Sequence, residues 1–260
     1  MITVAGGDSF IWGIELEDMK HCGVDGHSQS TWPALLAQDS KSQYICTAVP
    51  GGSNDSIVRD IIKTCEELKN QDIQVIVQWT FPWRFGFRFV EPVNWYNFDI
   101  QVINDEDFKD TRAHKFHKTL NNYGIPKFTE QFFKTIGTTE YWPVYSTIKE
   151  IVLLQGYLKS KNINYIFTAA DNVIFENFTI SKPSDIYVKN LYDQIDWDHW
   201  YWFPSGSGKQ ETTTPRGFYQ WALENKYTVG PGNHPLEQAH KDAAELIKEK
   251  FNELVKKSDQ

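Results

Sequence analysis

Four short β-type runs punctuate the chain, at residues 1–5, 44–49, 73–79 and 164–168, and the segments between them carry helical rather than alternating periodicity. Runs of this length, rich in Val, Ile and aromatic residues, read as strands. After a cap at Ser53 or Asn54, residues Ile57, Val58, Ile61, Ile62, Cys65 and Leu68 recur at three-and-four spacing, the mark of an amphipathic helix. Residues 30–36 look like a capped helix start with Pro33 in the first turn; residues 140–160 place Ile148, Ile151, Val152, Leu154 and Leu158 on one helical face; residues 236–256 form a long amphipathic terminal helix. Strands alternating with helices predict an α/β protein: a three-layer α/β/α, doubly wound, mostly parallel sheet. Ligands of such sheets bind beyond the carboxyl ends of the strands, where Ser9, Gly51 and Thr80 fall.

At 260 residues, with 40% hydrophobic and 23% charged, the chain reads as a single domain over 1–260. Residues 81–139 break the pattern: aromatic, irregular, with a local helix near 130–136, and too long for a simple connection. We read them as an aromatic-rich insertion covering the site. A formal net charge of -8 offers no broad positive field for phosphates, so nucleic acid is not an expected partner. Cys22, Cys46 and Cys65 make an odd count without a CxxC pair, which fits a reducing compartment. The first residues show no basic segment followed by an apolar stretch, and no run approaches the ~18 apolar residues of a membrane span. The expected location is cytoplasmic, without membrane association; the sequence does not indicate an oligomeric state.

Two motifs carry chemistry. Gly7-Asp8-Ser9-Phe10 follows the first strand directly and presents a hydroxyl at the sheet edge, and Asn233-His234-Pro235 opens the last helix, from which an imidazole could reach that edge. Each alone has a bland reading, a strand-to-helix turn and a helix-capping His. Together, with Ala48-Val49-Pro50-Gly51-Gly52-Ser53 after the second strand, they resemble the blocks of the SGNH (GDSL) hydrolase superfamily in order and spacing over most of the chain outside the insertion. Divergent members of this kind are found in phage and bacterial genomes. The resemblance implies the flavodoxin-like SGNH fold, Ser9 as nucleophile, His234 as base, and an oxyanion hole from the Ser9 and Gly51 N–H groups with a third donor after the third strand. Gly52-Ser53-Asn54-Asp55 spells that third-block pattern but follows the second strand, so it belongs to the second block, with Asn54 a candidate auxiliary or substrate-binding group.

Two positions depart from the family. Thr80 stands where the third block has Asn, and Pro231 stands where an Asp three residues before the His is usual. A backbone carbonyl or an acid from elsewhere must then orient His234; Asp171, after the fourth strand, is the candidate. His240 matches a second family His, for which packing is the expected role. Arg84 and Arg88, among Trp83, Phe85, Phe87 and Phe89, are candidate substrate-binding residues, or equally an Arg pair stacked on aromatics. The loop Ser205-Gly206-Ser207-Gly208-Lys209 lacks the first Gly and the final Ser or Thr of a phosphate loop. The expected activity is hydrolysis of an acyl ester, with a small molecule or a carbohydrate O-acetyl ester as substrate and no metal or organic cofactor. The alternatives are a catalytically inactive binding protein of the same fold and an acyltransferase using the same serine.

Overall fold

The third apolar run is buried at every position, Gln74 and Gln78 included, so it must run through the middle of a sheet. Both glutamines have partners there: Gln74 Nε2 donates to Thr3 Oγ1 at 2.7 Å, and Gln78 Oε1 accepts from the Trp32 indole at 3.2 Å. The structure is a computed structural model and describes residues 1–20, 26–89, 94–99, 125–137, 141–175, 186–205 and 215–256. The strands are β1 (Ile2–Gly6), β2 (Gln43–Cys46), β3 (Ile73–Trp79), β4 (Arg84–Phe89), β5 (Asn94–Asp99) and β6 (Asn164–Ala169). The α-helices are α1 (Ser9–Trp12), α2 (Trp32–Asp39), α3 (Asn54–Glu67), α4 (Ile125–Phe132), α5 (Tyr141–Ser160), α6 (Ile186–Tyr192), α7 (Phe218–Glu224) and α8 (Glu237–Lys256).

The main sheet is parallel, in the order β2-β1-β3-β6. Val4 lies beside Ile45 on one side and Val75 on the other, and Val75 in turn beside Tyr165. Successive strands are added first on one side of β1 (β2) and then on the other (β3, β6), which makes a switch point at its carboxyl end. The pleat sends alternate residues to two cores. Val75 and Val77 pack with Ile57, Ile61, Ile148, Ile151 and Leu154 from α3 and α5. Ile76 packs on the other face with Trp32, Leu36, Ala243 and Ile247 from α2 and α8. Helices thus cover both faces, as the alternation of strand and helix signals predicts, and the α/β doubly wound class stands.

Three local expectations change. β2 ends at Cys46, although Thr47 N–H still donates to Ala5 O of β1 and Val49 N–H to Gly7 O just past it before Pro50 turns the chain. The helix expected near 130–136 spans Ile125–Phe132 and continues as a π-helical turn, Phe133–Gly137. Residues 84–99 contain an antiparallel hairpin, β4 with β5, where the sequence reading saw only irregular chain. Phe85 and Phe87 on one side of β4 meet Phe128, Phe132 and Phe133 edge-on, at centroid distances from 4.9 to 5.8 Å. Much of the expected insertion over the site, namely 90–93, 100–124 and 138–139, lies outside the described residues, as does 206–214 of the Ser/Gly loop. Among the described residues no helix is long and apolar enough to cross a membrane.

Candidate active site

β1 delivers the chain to its carboxyl end, and Asp8 decides what happens next. Its Oδ1 accepts the Phe10 N–H at 3.0 Å, capping α1 so that Ser9 becomes the first residue of a one-turn helix. Gly13 ends that turn with φ +86°, a left-handed conformation that a β-carbon would strain. Ser9 is 7% exposed. The other Asp8 oxygen, Oδ2, accepts hydrogen bonds from Thr80 Oγ1 and Arg84 Nη1, both at 2.7 Å. Arg84 Nη1 also donates to Thr80 Oγ1 at 2.7 Å, which closes a three-membered network beside the Ser9 turn. Asp8 is fully buried, and the Arg84 guanidinium supplies the charge that a buried carboxylate requires.

The chain leaving Gly13 places Glu15 opposite the loop before α8. Glu15 adopts φ +72°, uncommon for a residue with a side chain. Its Oε2 lies 2.8 Å from His234 Nδ1, and its carboxylate also accepts the Gly232 N–H at 2.8 Å and the His234 N–H at 3.4 Å. Burial is the largest single influence on the Glu15 carboxyl and pushes its pKa up, but the hydrogen bonds from Gly232 and His234 together outweigh it and hold the pKa below the ordinary carboxylate value. Gly232 is required by close approach: a β-carbon there would stand 3.0 Å from His234 Nδ1 and 3.2 Å from Glu15 Oε2. The His234 ring meets the Phe10 ring edge-on at 5.5 Å, so the imidazole lies against the residue that follows Ser9. A direct hydrogen bond between Ser9 Oγ and His234 Nε2 is not formed in this conformation. Bonds of this kind commonly tighten only with substrate bound.

The carboxylate that the structure brings to the His234 ring is therefore Glu15, and Asp171 is placed elsewhere. Asp171 Oδ1 accepts the Val173 N–H at 2.8 Å and caps the turn after β6. Glu15 was missed because it lies in the first loop, whereas the family pattern directs attention to the residues just before the His. The available signal was Gly230-Pro231-Gly232, two small residues at the point where another backbone must come close.

Thr80 also departs from its expected role. Its single hydroxyl proton goes to Asp8, so in this arrangement Thr80 accepts from Arg84 and has no proton left for an oxyanion. Asn54 is buried and acts on the protein itself: Nδ2 donates to Thr80 O (3.2 Å) and Thr147 Oγ1 (3.1 Å), and Oδ1 accepts the Thr80 N–H (2.9 Å). With both amide protons committed within the protein, it fixes the end of β3. Gly51 has φ +70° in an exposed turn closed by Gly52 N–H on Val49 O at 2.7 Å, and Val49 N–H on Gly7 O at 3.3 Å ties that turn to the loop that leads into Ser9. Arg84 is 14% exposed and stacks over Phe81 at 5.0 Å; Arg88, two pleats along β4, is exposed. His240 is buried, accepts the Trp32 N–H at Nδ1 (3.2 Å), and has its pKa pushed down to about 3 by burial. It joins α8 to α2, a packing role. No group of three or more metal-ligating side chains occurs among the described residues.

The sequence pattern of DUF6071, a family of unknown function, matches residues 15–257. The chain belongs to this family. No curated protein matches the DUF6071 chain. Among solved structures it is similar to the psychrotrophic esterase EstA from Pseudoalteromonas sp., with a TM-score of 0.45 and 12% identity over 99% of this chain and 98% of that one. It is likewise similar to TesA, with a TM-score of 0.46 and 9% identity over 98% and 99% of the two chains.

Proposed function

We propose that this protein is a serine hydrolase that cleaves acyl esters, with Ser9 as nucleophile, His234 as general base and Glu15 as the acid that orients it. The carrying observation is the Glu15–His234 hydrogen bond at 2.8 Å, made at the switch point of the sheet with the imidazole against Phe10. Glu15 on Nδ1 fixes the tautomer that leaves Nε2 to take the Ser9 proton, and it stabilises the imidazolium formed. Ser9 Oγ attacks the ester carbonyl, and the Ser9 and Gly51 N–H groups stabilise the tetrahedral oxyanion. His234 returns the proton to the leaving alcohol, and water then releases the acyl group by the same route. The stacked pair Phe81–Trp83, at 5.3 Å and partly exposed, offers a flat apolar face of the kind that sugar rings stack on, which supports an O-acetylated carbohydrate as substrate.

The test is steady-state hydrolysis of 4-nitrophenyl acetate and of acetylated xylan, alongside Ser9→Ala. Turnover that disappears in the variant supports the proposal. No turnover of either ester, and no acyl transfer to an added alcohol, would favour a binding protein that keeps the fold.

A further inference from the structure

We propose that Phe10 is a positioning residue for His234, its ring setting the tilt of the imidazole, and that Tyr219 holds Phe10 in that task; this rests on the serine hydrolase reading above. His234 needs a second support besides Glu15. The Glu15 carboxylate holds Nδ1 at 2.8 Å, and the His234 backbone is fixed by its N–H on the same carboxylate (3.4 Å) and its carbonyl on the Gly230 N–H (2.9 Å). The last torsion of a His side chain is broad and a carboxylate accepts from several directions, so these bonds still let the ring tilt. A general base does not tolerate that freedom, because Nε2 must come within hydrogen-bond reach of the serine proton. The Phe10 ring meets the imidazole at a centroid distance of 5.5 Å and an interplanar angle of 67°, and this contact limits the tilt.

Both supports of the imidazole come from the stretch that carries Ser9. Ser9 and Phe10 are consecutive residues of the single turn α1, and Ser9 O accepts the N–H groups of Gly13 (2.9 Å) and Ile14 (3.1 Å). Glu15 therefore leaves a chain that is bonded back to Ser9. The register between Ser9 and His234 is thus set within residues 8–15, and a shift of α1 carries serine and imidazole together.

Phe10 is itself held firmly. It is 6% exposed, and its N–H is bonded to Asp8 Oδ1 at 3.0 Å. The Tyr219 ring stacks on it at 5.4 Å with an interplanar angle of 14°, and Phe218 meets it edge-on at 6.3 Å. Both come from α7, which is tied to the end of β6: Tyr219 N–H donates to Ala170 O at 2.9 Å, and Gln220 accepts the Asn172 N–H at 2.9 Å and donates to Asn172 Oδ1 at 2.6 Å. Helix α7 thus reaches His234 through the Phe10 ring.

The experiment compares the wild type with Phe10→Leu, which keeps an apolar side chain but no ring, and Phe10→Tyr, which keeps the ring. The readouts are kcat, KM, melting temperature and the far-downfield proton NMR signal of His234 Nδ1–H, assigned by its absence in His234→Gln. The expected result is a folded Phe10→Leu with kcat down about 10- to 100-fold at nearly unchanged KM, a broadened Nδ1–H signal, and a kcat for Phe10→Tyr well above that of Phe10→Leu. A folded Phe10→Leu with wild-type kcat, one that changes KM alone, or one whose kcat falls while the Nδ1–H signal stays as sharp as in the wild type would overturn the assignment. If Phe10→Leu does not fold, Tyr219→Leu decides, since Tyr219 is only half-buried: losing its stack must lower kcat and broaden the signal, and no change in either sinks the proposal. A wild type that turns over no ester and whose Ser9 is unreactive would remove the hydrolase reading, and the NMR comparison alone would then decide whether Phe10 positions His234.

Discussion

Glu15 carries two burdens, an unfavourable backbone conformation and a partly buried charge, and both are compensated by one loop. Gly232 and His234 each donate a backbone N–H to it, and the imidazole donates a third hydrogen bond. Glu15→Gln keeps the shape but can hold the wrong tautomer of His234, so kcat is expected to fall about 10³- to 10⁴-fold. Asp171→Asn retains a capping side chain and should stay near wild type in the same assay; the reverse pattern would return the role to Asp171. His240 gives a second test at this scale. Its ordinary value is 6.5 and burial lowers it to about 3, so between these limits the unfolded chain binds a proton that the folded one refuses. Stability is therefore lost as pH falls from 6.5 toward 3, by at most about 1.4 kcal/mol per pH unit from this group. Urea unfolding across that range should show a shallower pH slope in His240→Gln than in the wild type.

Asn54 and the β4–β5 hairpin show how elements hold the site. Asn54 opens α3 yet satisfies both backbone groups of Thr80 at the end of β3 and bonds Thr147 on α5. Asn54→Ala would leave a buried N–H without a partner, and a loss of about 2–4 kcal/mol in urea unfolding is expected. The hairpin is attached by Gly86 N–H to Asp55 Oδ1 at 3.0 Å and by the ring contacts of Phe85 and Phe87 to α4. Phe132→Ala should therefore speed hydrogen exchange in Arg84–Phe89 and leave β1 and β3 protected. The main strands and long helices were legible in the sequence because burial on both faces gives continuous apolar runs and amphipathic helices give a clear period. The hairpin was not, although Arg84-Phe85-Gly86-Phe87-Arg88-Phe89 alternates strictly: aromatic crowding masked a period-two pattern. Ser9, Gly51 and His234 could be named as candidates from the sequence because each sits at a fixed point of a block pattern that the chain resembles. Glu15 and the Asp8–Thr80–Arg84 network were not, since both depend on loops meeting across the sheet edge.

At the scale of the whole molecule, a parallel sheet with a core on each face brings residues 8, 15, 51, 80, 84 and 234 to one edge, although they span most of the sequence. The central claim is that the fold activates Ser9 through His234 and Glu15. The most direct measurement is covalent labelling of the purified protein by a fluorophosphonate, read by intact mass and peptide mapping, beside Ser9→Ala, His234→Ala and Glu15→Gln. The account predicts a single adduct on Ser9, absent in Ser9→Ala and His234→Ala and much slower in Glu15→Gln. An unlabelled wild type under conditions where a control serine esterase reacts, or labelling at Ser9 that His234→Ala does not change, would contradict it.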